Sequence, residues 1–197
     1  MHVRTDSIDG EIKVTADAAA ELTNVVAGRP QAEHESLGHL ERMREVLISH
    51  EFPRAHTIDE SGLGALSDRM TSIARIVEGL PDGDLATSVA AVNAQLEASA
   101  IAPALVAHDG SPLHIHWTSP STPFAHQVAV DVLMALAQTL CDSGIDRFGR
   151  CAADGCDRVF FDITKNRSRR FCADPRCATR THTAAHRARQ AGSTTAV

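Results

Sequence analysis

Apolar residues recur at helical spacing through most of the first hundred positions. The stretch TADAAAELTNVVAGR predicts a short helix that Gly28 and Pro30 end. In EHESLGHLERMREVLISHEF, the residues Leu37, Leu40, Val46, Leu47 and Phe52 fall near one face, and Pro53 marks the stop. DESGLGALSDRMTSIARIVEGL repeats the pattern through Leu63, Leu66, Met70, Ile73 and Val77. PDG at 81–83 reads as a turn, and DLATSVAAVNAQLEASA as a fourth helix capped by Asp84. The rhythm then changes. In PALVAHDGSPLHIHWTS two short apolar runs flank Asp109-Gly110, a hairpin signal. STPFAHQVAVDVLMALAQTLCDSG is the most apolar segment, with Thr122 or Ser121 to cap it and Gly144 to close it, so it predicts the central buried helix. IDRFGR leads from it to a cysteine with little linker, which predicts two parts packed together rather than tethered.

These elements describe a mainly α protein. A helical N-terminal domain with a small β-hairpin covers 1–146. A four-cysteine module ending in a helix covers 147–190, and a disordered tail covers 191–197. Composition agrees: 43% hydrophobic but only 4% aromatic, so the core must rest on Ala, Leu, Val and Ile, a helix-forming vocabulary. No apolar run approaches the ~20 residues of a membrane span, and the N-terminus lacks the apolar stretch of a secretory signal. The expected compartment is the cytoplasm, where clustered cysteines hold metal more often than they form bridges.

Charge divides the chain. Met1 to Asp146 carries 8 Lys/Arg against 21 Asp/Glu, a net of −13. Arg147 to Val197 carries 11 Lys/Arg against 4 Asp, a net of +7. Such asymmetry points to nucleic-acid or membrane contact by the basic part, which here is also the cysteine part.

Four of the five cysteines form Cys151-x4-Cys156-x15-Cys172-x4-Cys177. Two short-gap pairs separated by 15 to 20 residues match a four-cysteine zinc site. Four protein ligands leave no open coordination position, so the expected cofactor is one structural zinc ion per chain. A disulfide pair and free thiols are the alternatives. A mixed set is a further rival, because His182 and His186 follow Cys177 at helical i, i+4 spacing. It would strand Cys151 and Cys156. Cys141, at the end of an apolar helix, reads as a buried core thiol.

Lys165, Arg167, Arg169 and Arg170 lie within six residues between the cysteine pairs. A helix beginning near Pro175 would carry Arg176, Arg180, Arg187 and Arg189, the first three on one face. These eight cations are the candidate nucleic-acid-binding residues, forming a rigid surface suited to phosphates. The competing reading is that some of them neutralise a zinc–thiolate centre of net charge −2.

The run CAADGCDRVFFDITKNRSRRFCADPRCATRTHTAAHRAR resembles the CGNR zinc finger. The matching positions are Cys151, Cys156, Phe160 or Phe161, Asp162, Arg169-Arg170, Cys172, Cys177 and Arg180. Ala178 and Thr179 replace the Gly and Asn of the namesake motif. The preceding part resembles the ABATE domain that accompanies this finger in bacterial proteins: AELTNVVAGR is similar to its early L-V-N-T stretch, with Asn24 on the asparagine, and HLERMREVL to its Leu/Arg-rich helix. The resemblance implies a stress-linked transcription regulator that binds DNA.

Asn24, inside an apolar helix, either lines a small-molecule pocket or caps a buried backbone group. His114 and His116 share one side of a strand and His126 lies downstream, but no nearby acidic motif completes a catalytic metal triad. A nucleophile elbow, a P-loop and a GxGxxG fingerprint are absent from the sequence. The expectation is therefore a non-enzymatic DNA-binding regulator whose helical domain senses a small-molecule effector or forms a homodimer. The rival is a zinc-stabilised protein-interaction module without DNA binding.

Overall fold

The structure is a computed structural model that describes residues 5–29, 37–107 and 113–194, with side chains described at 10–29, 37–107 and 113–190. The first helix, α1, spans Thr5–Val26, ten residues earlier than the periodicity of 15–26 predicts. Its extra turns contain Gly10 and few apolar residues, so no stripe reveals them. Farther on, Ala16, Ala19, Ala20, Leu22 and Val25 are buried. The helix stops at Gly28, whose φ of 72° is a left-handed conformation that glycine adopts without strain.

Helix α2 spans His39–Ser49 and buries Met43, Val46 and Leu47. Helix α3 spans Glu60–Gly79, and all five residues of its predicted stripe are buried. Its cap is Asp59, whose carboxylate accepts from the Gly62 amide at 2.7 Å. A single 3-10 turn at Leu80–Asp82 stands where a plain turn was expected. Helix α4, Leu85–Glu97, is capped as predicted, with Asp84 accepting from the Thr87 amide at 2.9 Å.

Strands β1 (Ala104–Val106) and β2 (His114–His116) pair antiparallel, with Leu105 opposite Ile115. The Asp109-Gly110 turn lies outside the described residues. Helix α5, Phe124–Ser143, is the central helix and buries ten residues. Neither Ser121 nor Thr122 caps it: Pro123 occupies that position, with no side-chain bond. Its C-terminus closes on Gly144 at φ 60°. By length and composition α5 could cross a membrane, which corrects the expectation that no segment approaches a span. Its apolar residues are occupied inside the core instead. Cys141, expected inside, is exposed, because the last turn of α5 rotates it away from the neighbouring helices.

Helices α1, α3 and α5 pack mutually, with α2 and α4 at the flanks. Two further strands, β3 (Phe148–Arg150) and β4 (Val159–Phe161), form an antiparallel hairpin absent from the sequence reading. The final helix, α6, spans Pro175–Thr194. Its start agrees with expectation, but it continues past 190 into the segment expected to be tail; residues 195–197 lie outside the described set.

Strand alternation makes β4 a wall between two cores. Val159 and Phe161 join the helical core beside α1, together with Phe148. Phe160 turns the other way, into a small cluster with Cys151, Ala153, Cys172 and Cys177. The cysteine module is thus built onto the helices by a shared strand. Gly149 lies opposite Phe160, where an added Cβ would come within 2.5 Å of the ring, so only glycine fits.

Candidate metal centre and its basic surroundings

Short backbone ties carry the four cysteines to one point. Cys151 follows β3, and its amide bonds to the Arg158 carbonyl at 2.9 Å, closing the first cysteine loop. Within that loop Gly155 takes φ 68° and the Cys156 amide bonds to the Ala153 carbonyl. The Ala152 amide reaches the Arg170 carbonyl at 2.8 Å and fastens the second pair to the first. Cys177 sits in the first turn of α6. Pro175 begins that turn, and the Asp174 carboxylate accepts from the Arg176 amide at 2.9 Å, an aspartate cap followed by proline.

The four sulfurs lie within 4.8 Å of one another, and those of Cys172 and Cys177 are 3.7 Å apart. A tetrahedron with metal–sulfur bonds of about 2.3 Å has edges of about 3.8 Å. A disulfide needs about 2.05 Å. Burial and the neighbouring cysteines push the Cys172 thiol far up, and burial raises Cys156. Cys151 is held below its ordinary value despite burial, by amides including those of Cys172 and Ala153. Thiolates this close repel one another, and a divalent cation at their centre offsets that repulsion. The residues fit zinc, and the closed ligand set makes it structural.

The mixed ligand set is not assembled. Among the described residues, His182 and His186 belong to no converging group, and the His182 ring meets Phe171 edge-on at 5.7 Å. His126 turns its Nε2 towards the Ala100 carbonyl at 3.4 Å, away from a shared site with His114 and His116.

The cations sort into two groups. Arg169 points inward: it pairs with Asp17 at 2.9 Å, donates to the Phe161 and Phe171 carbonyls and lies over the Phe160 ring. Asp17 and Glu21 of α1 form an acidic niche with His50, just past the end of α2, and Arg169 enters it. Burial raises the Asp17 pKa, and Arg169 opposes that rise. Three further arginines hold the module, Arg150 and Arg158 by bonds to the helical part and Arg147 by bonds within the module itself. Arg150 pairs with Asp82 and donates to the Glu78 carbonyl. Arg158 donates to the Arg29 carbonyl and pairs with Asp174 at 3.0 Å. Arg147 donates to the carbonyls of Asp162 and Thr164.

The remaining candidates face outward. Lys165, Arg167 and Arg170 are exposed on the loop, with Arg167 pairing to Asp146 at 3.1 Å and Arg170 near the Phe171 ring. Asp162 shapes this loop by accepting from the Thr164 amide and hydroxyl and from the Arg169 amide. Burial opposes its charge, but those donors and Arg147 hold its carboxyl below the usual range. Arg176 chelates Asp174, and Arg180 approaches the Cys177 sulfur at 3.8 Å. Burial also opposes charge on Asp174, and its pKa is nevertheless low because Arg176 and Arg158 flank it. Arg187 and Arg189 lie exposed on α6 and form no ion pair with another described residue.

Asn24 takes the second of its two expected roles and caps buried backbone groups. Its amide nitrogen donates to the Val159 carbonyl at 2.8 Å, and its oxygen accepts from the Val159 amide at 3.0 Å. One buried side chain thus satisfies both backbone groups of a β4 residue 135 positions away. Sequence patterning carries no signal for that partner. The start of α6 at Pro175, by contrast, carries a local signal, with Asp174 before it as the cap.

Residues 147–190 match the family model of the CGNR zinc finger. Comparison with curated proteins finds no match. The finger holds one structural zinc ion on Cys151, Cys156, Cys172 and Cys177. Ala178 and Thr179, which replace the namesake Gly-Asn, lie within α6 at ordinary helical geometry, so no glycine conformation is required there.

Proposed function

We propose that this protein is a DNA-binding transcription regulator, in which the zinc finger presents Lys and Arg to the phosphate backbone. The observation carrying the reading is the placement of α6. Beyond its zinc-bound first turn it packs extensively against no other described element, and from Arg180 to Gln190 every residue except Thr181 is exposed. Arg176, Arg180 and Arg187 share one face of it. A helix of 20 residues is about 30 Å long, enough to follow a groove while the 165–170 loop meets the flanking phosphates. With Arg169 committed to docking, the contacting set is Lys165, Arg167, Arg170, Arg176, Arg180, Arg187 and Arg189.

The helical part, similar to an ABATE domain, would serve as the sensing or dimerising element, and a closed four-ligand zinc site suits a non-catalytic role. Burial of Val159 and Phe161 among the helices gives a bound effector a direct route to the finger. Binding of the full chain to genomic fragments, footprinted beside Cys172→Ser, tests the reading. Sites lost in the variant while the helical core stays folded support it; identical footprints overturn it.

A second reading is a protein-interaction module, favoured by the ion pairs that Arg150, Arg167 and Arg169 already make to acidic residues of the helical part. It predicts salt-sensitive self-association without DNA.

A further inference from the structure

The β1–β2 hairpin carries a feature that neither the finger nor the DNA reading uses. Strand alternation sets His114 and His116 on one face of β2, and their Nε2 atoms approach to 3.0 Å. The cross-strand neighbours on that face are Val106 and Ala104, neither of them charged. Two imidazole nitrogens at this separation match a pair of adjacent ligands on one metal ion. With metal–nitrogen bonds of about 2.0–2.1 Å, the cis edge of an octahedral or square-planar site is about 2.9 Å, and that of a tetrahedral site about 3.4 Å. The stretch of chain that carries the pair is acidic as well: residues 76–146 contain eight Asp/Glu and no Lys or Arg, a charge that favours a cation over an anion.

We propose that His114 and His116 form a second metal site, a bidentate seat for a labile first-row divalent cation. Imidazole ligands select nickel, copper or zinc over magnesium and calcium. Two protein ligands leave the other positions to water, so the ion exchanges freely, unlike the enclosed zinc of the finger.

The test uses the full chain with its finger zinc-loaded and chelator removed. Nickel is added, and both metals are counted after equilibrium dialysis. One nickel per chain is expected alongside one zinc, with magnesium failing to compete. In the doubly substituted His114→Gln, His116→Gln protein, nickel affinity should fall at least tenfold while zinc stays at one per chain. Unchanged nickel binding in that protein overturns the site, since the ion would then sit on other histidines. So does the absence of nickel uptake by the parent chain at millimolar concentration. Should the substituted protein lose its fold, proton NMR of the parent decides. Paramagnetic nickel must broaden the ring signals of His114 and His116 before those of His182 and His186, and equal broadening of all four overturns the proposal.

Discussion

Helices α5 and α6 are each 20 residues long, yet they do opposite work. Helix α5 contains no Lys or Arg and buries ten side chains at the centre of the molecule. Helix α6 contains four arginines and two histidines, and of its described side chains only Cys177 is buried. Helices α1, α3 and α4 pack against α5. Helix α6 is held mainly at its start, by the metal ligand Cys177 and the Asp174–Arg176 contacts, with the His182 ring against Phe171. A helix without tertiary packing is marginal in water, so order in α6 depends on the zinc and on whatever its outer face meets.

The largest expected effect follows from that dependence. Cys172→Ser removes a ligand, and zinc content measured per chain should drop from one towards zero. Circular dichroism should then lose the α6 contribution while α1, α3 and α5 persist, because their core includes Phe148, Val159 and Phe161 of β3 and β4 and no residue of α6. Full helicity without metal would break the comparison.

Truncating the buried helix acts on the whole molecule instead. Leu136 is fully buried, so Leu136→Ala should cost about 2–5 kcal/mol of unfolding free energy by denaturant titration, with zinc content unchanged. Asp131, the acid near the middle of α5, sharpens the contrast. Burial pushes its pKa up to about 6. The folded state then holds this proton more tightly than the unfolded chain, so stability falls as pH rises from about 4 to 6 and stays lower above that. Asp131→Asn should abolish that fall and raise stability at pH 7 by about 1–3 kcal/mol; an unaltered stability–pH profile would show that the carboxyl is better solvated than its position implies.

Asn24→Ala tests the seam between the two parts. It strands the buried amide and carbonyl of Val159, at a cost of about 1–3 kcal/mol, measurable in the same titration. The smallest stability effect belongs to the exposed helix: Arg187→Ala should change unfolding free energy by no more than about 0.5 kcal/mol. If α6 meets DNA, the same substitution lowers the log–log salt slope of binding by about one. An unchanged slope would remove Arg187 from the contacting set.

Much of this protein was legible along the chain. The stripe of α3 and the cap at Asp84 were readable because helical periodicity and capping are local. Both x4 cysteine pairs were equally plain, since paired ligands sit a few residues apart on one loop. Arg169 shows where such reading stops. By density it belongs with the loop's other cations, and only its position against Asp17 and the Phe161 carbonyl separates it from them. The β3–β4 hairpin escaped because its short strands stand apart from Asp154-Gly155, with no apolar runs close on either side of that turn as there are around Asp109-Gly110.

Local order alone determined the helices, the zinc ligands and the charge division, because the interactions behind each lie within a turn or a loop. Tertiary structure decided which arginines dock and which remain outward. It also decided that Asn24 holds a strand 135 residues away and that Val159, Phe160 and Phe161 serve two cores at once. Those outcomes depend on distances between segments remote in sequence, and a string of residues does not record such distances.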